Sequence, residues 1–211
     1  MPPIIKLQYM HMSRNIQKTL LYSIYVLIGV TLLTPFIVST SLFFPYITGK
    51  AFVFRLVVQL LLLAYIGLIL SDRSYLPKRG PVLYGIVAFT AVLGISTLTS
   101  ENPVKSFWSN YERMEGYITI VHLCALFVVA SSVIKTKALW YRLFNSSLVL
   151  SVFVGLQAFS DYELNRSEGI IVQVFKGIKY LFLTLFGDIE TVRIAGGLGN
   201  SSYLGVYSLI Q

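Results

Sequence analysis

The sequence predicts an all-α, polytopic transmembrane helical bundle, and three observations carry that reading. Only 12% of the residues are charged and 55% are hydrophobic, where a soluble domain carries about 25% charged residues. The mean hydropathy is +0.72, and the apolar residues fall in unbroken runs rather than in the alternation of barrel strands. Runs of about twenty such residues match the length a helix needs to cross a ~30 Å hydrocarbon core. Once those runs are read as spans, the basic residues separate by side.

Taken in order, the runs give five full spans, at about 20–44, 51–70, 81–99, 117–133 and 146–159, and the start of a sixth near Ser201. The fifth has room to begin earlier, around Leu139. The whole chain, 1–211, reads as a single membrane domain with outer loops at about 45–50, 100–116 and 160–200. The first run is not a cleavable signal, because its apolar core is too long and no small-residue cleavage site follows. Residues 170–186, "IIVQVFKGIKYLFLTLF", are long enough to span but hold Lys176 and Lys179 near their centre. Each such lysine costs ~2.5–3.5 kcal/mol against ~0.3–0.6 gained per large apolar residue. Gln173, Lys176 and Tyr180 share one helical face, so an amphipathic helix on the outer face is expected.

The charges then partition. Lys6, Arg14, Lys18, Arg73, Lys78, Arg79, Lys135, Lys137 and Arg142 fall on one side with Asp72 as their only acid, which accounts for the whole net charge of +8. The other side carries eight bases and eight acids. This asymmetry predicts a cytoplasmic N-terminus and leaves no excess charge that calls for a nucleic-acid partner. One cysteine, Cys124, allows no intrachain disulfide and no cysteine-based metal site. His11 and His122 are the only histidines, and no metal-ligand cluster or cofactor motif is present. His122 reads as a helix–helix hydrogen bond or as a proton-transfer group.

Three outward-facing stretches hold the candidate chemistry. Arg55, in "ITGKAFVFRLVVQ", lies about one turn into the second span with Gln59 on the same face. It either snorkels to the interface or points inward toward an anionic headgroup. "SFWSNYERMEGY" crowds Glu112, Arg113 and Glu115 among Trp108, Tyr111 and Tyr117. The charges either neutralise one another at a rim or divide their work, the arginine contacting phosphate and a carboxylate orienting a sugar hydroxyl or an arginine. The aromatics fit an interfacial belt or stacking on sugar rings. "RIAGGLGNSSYLGVY" places Arg193 before Gly196, Gly197 and Gly199 and enters an apolar helix at Asn200 or Ser201. Glycines let the backbone approach a ligand, and a helix start offers free N–H groups to a phosphate.

Together, "FPYITGKAFVFR", "SFWSNYERMEGY" and "RIAGGLGNSSYLGVY" resemble, in that order, the O-antigen ligase/polymerase superfamily. That resemblance implies a metal-independent, inverting glycosyltransferase of the bacterial cytoplasmic (inner) membrane, with no cofactor. Its donor would be a glycan linked to undecaprenyl diphosphate and its acceptor a hydroxyl of a glycolipid or glycan. Diphosphate binding would fall to Arg193, Arg113 and Arg55. Glu112, Glu115, Trp108 and Tyr111 would orient sugar or arginine, and the backbone of Gly197, Gly199 and Asn200 would meet the phosphate. Members of the superfamily have about twice as many spans and a histidine in a later outer loop. The expectation is therefore an N-terminal half with a C-terminal half missing. A transporter or flippase of lipid-linked sugar, or a membrane scaffold without chemistry, are the other classes in view.

Overall fold

The computed structural model describes residues 14–37, 48–110, 114–164 and 206–207. Among them the chain is helical throughout, without strands. The helices are α1 (Arg14–Thr31), α2 (Thr48–Ser71), α3 (Pro81–Leu98), α4 (Pro103–Trp108), α5 (Tyr117–Val133) and α6 (Lys137–Leu164). Single 3-10 turns occupy Thr34–Phe36 and Arg73–Tyr75. Val206 and Tyr207 are also helical. The amphipathic helix expected at 170–186 and most of the sixth span lie outside the described residues.

Among the described residues, three helices are long and apolar enough to cross a membrane: α2, α3 and the Lys137–Leu156 part of α6. α5 is apolar but has 17 residues, a rise of about 26 Å. α1 is not among the three, because its first turns carry Arg14, Asn15, Gln17 and Lys18.

The run expected to cross continuously at 20–44 does not do so as one helix. α1 stops at Thr31, four residues before Pro35. A proline ring clashes with the carbonyl four residues back and brings no N–H of its own. The end tightens into bonds from Leu32 N–H to Gly29 O (3.1 Å) and Leu33 N–H to Val30 O (3.0 Å). The Thr34 hydroxyl then donates to the freed Thr31 carbonyl at 2.8 Å. At the other end the helix already includes Arg14, six residues before the run. α6 likewise begins at Lys137, ahead of the apolar run at 146.

α2 is the central helix. Leu20 of α1 lies against Gly67, and Ile24 and Ile28 pack with Leu61, Tyr65 and Leu68. α1 and α2 are therefore antiparallel. α5 runs parallel to α2: Arg55 meets Thr119 near the start of both helices, and Ser74 meets Lys135 just past their ends. α3 is antiparallel to α5, with Tyr117 reaching the Thr90 carbonyl. The buried core sits in the half where α2 and α5 finish, and Val129, Val133 and Ile134 complete it. Leu139, Trp140 and Leu143 of α6 pack against it. α3 buries none of its residues, a surface that carries no penalty where hydrocarbon covers it.

With these directions, Arg14, Lys18, Arg73, Lys78, Arg79, Lys135, Lys137 and Arg142 all fall at the end where α2 and α5 finish. Of the other group, Lys50, Arg55, Glu101, Lys105 and Glu115 are described and lie toward the opposite end.

Candidate functional site

The end where α2 and α5 begin is built around the turn that joins α4 to α5. Asn102 caps α4, its side chain accepting the Lys105 N–H at 3.1 Å, and Pro103 fills the first helical position. After only six residues the helix ends at Ser109, whose φ of 67° and ψ of −162° lie in a region normally left to glycine. Met114 also has a positive φ, of 49°. The turn closes through Gly116, where an added Cβ would lie 2.2 Å from the Phe107 carbonyl oxygen. No other residue fits there without moving backbone. Tyr117 follows. Its hydroxyl donates to Thr90 O at 3.1 Å, in the space left by Gly94, where a Cβ would stand 2.6 Å from the Tyr117 hydroxyl oxygen. Phe107 is edge-on to Trp108, with centroids 5.1 Å apart, and tilted against Tyr117 at 6.2 Å. The Ser106 hydroxyl donates to the Ser100 hydroxyl at 2.8 Å.

Beneath this turn Arg55 points inward. It is 9% exposed and shares the buried stripe of α2 with Val58, Leu61, Tyr65 and Leu68, at spacings of three and four. Its Nη2 donates to the Met114 carbonyl and, at 3.1 Å, to the Thr119 hydroxyl. Its Nε is buried without a partner. The carboxylate of Glu115, exposed at the rim, acts on the guanidinium electrostatically. An arginine keeps its charge when buried, so these contacts are what make its position tenable. The guanidinium is therefore held within the protein, against Met114 and Thr119.

One turn deeper, Gln59 Nε2 meets His122 Nε2 at 3.3 Å, while His122 Nδ1 lies 2.7 Å from the Ile118 carbonyl. With Gln59 donating from Nε2, both contacts are satisfied by the tautomer that carries its proton on Nδ1, donates to Ile118 and accepts at Nε2. His122 is buried and ties α5 to α2, the helix–helix bond that was one of its two sequence readings.

The structure thus places Arg55 within electrostatic reach of Glu115 and leaves Trp108 48% exposed at the end of α4. Tyr111, Glu112 and Arg113, and likewise Arg193, Gly197, Gly199 and Asn200, lie outside the described residues. Two partners were missed: Thr119 and the Met114 carbonyl. Thr119 carried a signal, since it stands three residues before His122 as Gln59 stands four after Arg55, so the two polar pairs run in register. A backbone carbonyl has no such signature.

Among the described residues, no group of three His, Cys, Asp or Glu side chains could hold a metal ion. Cys124 is free and partly buried within α5. A shallow groove of about 680 Å³ between α1 and α2, lined by Thr19, Tyr22, Val26 and Leu60 among others, is apart from this site. Comparison of the chain with protein-family models, with curated proteins and with solved structures found no match.

Proposed function

We propose that the chain forms the donor-binding part of an integral-membrane glycosyltransferase, which moves a glycan from undecaprenyl diphosphate to a hydroxyl of an acceptor glycolipid or glycan. The observation that carries the reading is the inward Arg55, held to the carbonyl of Met114, the residue next to Arg113. A buried, permanently charged group fixes the backbone at Met114, the residue between Arg113 and Glu115 in the sequence. In this role Arg55 supplies position and positive potential, while Arg113 and Arg193 contact the diphosphate directly. Preorganised cations of this kind stabilise the charge that develops on a leaving diphosphate as the glycosidic bond breaks. Glu115, exposed at the turn, orients a sugar hydroxyl or an arginine.

Transport of a lipid-linked sugar fits less well. A carrier lines its path with polar groups near midplane, whereas the half of this bundle beyond His122 is packed with Leu61, Leu68, Val129 and Val133. The test is glycan transfer in cells carrying Arg113→Ala or Arg193→Ala in the intact gene product. Transfer should fall by about a hundredfold or more, with membrane insertion unchanged. Near-normal transfer in both variants refutes the assignment.

A further inference from the structure

The basic end of the bundle is organised by one lysine. Lys135, just beyond α5, donates from Nζ to the Ser74 carbonyl at 2.9 Å and to the Ser74 hydroxyl at 3.2 Å. The same ammonium sits 3.6 Å from the centroid of the Tyr75 ring, within cation–π range. The loop it grips is anchored below, because the Tyr65 hydroxyl donates to the Tyr75 carbonyl at 2.9 Å. Tyr25 of α1 ties in as well, donating to Val133 O at 3.4 Å. Two loops from different parts of the chain are thereby held as one surface.

That surface carries exposed Lys78, Arg79 and Lys137. Lys78 and Arg79 follow Ser74 by four and five residues, so they lie within about 18 Å of it, and Lys137 lies within about 7 Å of Lys135. Asp72 is the only acid among these basic residues; its carboxylate accepts the Ser74 N–H at 2.8 Å and acts on Lys135. One acid does not balance Lys78, Arg79 and Lys137, and the excess positive charge is left for an external anion. Beside the charges stand large exposed apolar side chains, Leu70, Leu76 and Val82, and the exposed ring of Tyr141. A free phosphate or a nucleic acid satisfies the charges but not the apolar border. An amphiphile satisfies both.

We infer that this end of the bundle is a binding surface for an anionic phospholipid. The phosphodiester is held by Lys78, Arg79 and Lys137, on a base locked by Lys135, with its chains against α2 and α3. The inference is independent of the glycan-transfer reading, which concerns the opposite end.

The experiment is a titration of the purified chain in neutral detergent with dioleoylphosphatidylglycerol or dioleoylphosphatidylcholine, followed by native mass spectrometry. The anionic lipid should bind at least tenfold more tightly. Each charge removed should weaken it roughly fivefold, so Lys78→Gln/Arg79→Gln/Lys137→Gln should abolish most of the preference. Lys135→Met, which frees the two loops from each other, should weaken it too. Lys105→Gln, at the far end, should leave it intact. Inorganic phosphate should not compete at matched concentration. Thermal melts of each variant separate loss of binding from loss of fold, and Lys137→Arg, which keeps the charge, should retain binding. Equal affinity for the two lipids, an anionic preference that survives the triple substitution, or full competition by phosphate overturns the inference.

Discussion

Replacing Arg55 by methionine separates what this residue does for the turn from what it does for the bundle. The guanidinium gives the turn one charge-assisted bond, to the Met114 carbonyl, and gives α5 another, to the Thr119 hydroxyl. Bonds from a charged donor contribute ~1.5–3 kcal/mol each. The turn itself is strained at Ser109 and Met114, so it lacks a reserve to make good the loss. Local opening of the turn should become ~10–150 times more frequent, at tenfold per ~1.4 kcal/mol. The bundle should respond differently. Its buried charge and the unpartnered Nε vanish with the substitution, and an apolar side chain of similar size in place of a buried ion is often neutral or stabilising. Global stability should therefore shift by no more than about 1.5 kcal/mol. Amide hydrogen exchange at Met114, whose N–H donates to Asn110 O at 2.8 Å, reads the opening, and detergent unfolding reads the bundle. Exchange at Met114 unchanged within about twofold would show that something other than Arg55 holds the turn.

Three further expectations follow from the same contacts. Gly116→Ala forces a methyl into the Phe107 carbonyl and should cost about 3 kcal/mol in a thermal or detergent melt, the largest effect of a single methyl described above. A double-mutant cycle of Gln59→Leu and His122→Phe should return a coupling of about 1–2 kcal/mol, because Gln59→Leu alone strands the buried His122 Nε2 while the pair removed together leaves nothing unpaired. At the basic end, the Ser74 backbone N–H, helped by the Ser74 hydroxyl and Lys135, holds the Asp72 carboxyl below the usual carboxylate range. A lowered folded-state pKa means a contribution that is complete above the unfolded value of about 3.9 and is lost as pH falls through the folded one. The melting difference between wild type and Asp72→Ala should accordingly stay constant from neutral pH to about pH 4 and shrink only in stronger acid.

Much of the helical frame was legible where punctuation is strong. α5 occupies Tyr117–Val133 as read, since Gly116 precedes it and Lys135 follows. α3 starts at Pro81 after Gly80 and ends within one residue of its expected bound. The misreadings share one cause: hydropathy marks where hydrocarbon begins, whereas a helix begins wherever its backbone can bond. Arg14 and Lys18 precede the span expected at 20–44 and Lys137 precedes the one expected at 146–159, yet all three lie in the opening turns of α1 and α6. The stop after Thr31 was legible in Pro35 and was overridden by the apolar residues around it. Within the site, the direction of Arg55 was undetermined because α2 is apolar on every face, so no stripe in its sequence tells inside from outside. The partner of a backbone carbonyl is set by the turn's geometry, which two non-glycine residues at positive φ conceal from sequence-based reading.

The parallel course of α2 and α5 has an electrostatic consequence of its own. The first turns of these two helices stand side by side, each equivalent to roughly half an elementary charge, while the antiparallel α1 and α3 oppose them over any longer distance. The effect is therefore local to the free N–H groups that open α2 and α5, and it favours Glu115, stationed just ahead of Tyr117. At the opposite tip the summed carbonyls turn electronegative, and there Arg73 and Lys135 stand. The side chains at each extremity answer a polarity that the peptide groups have already set.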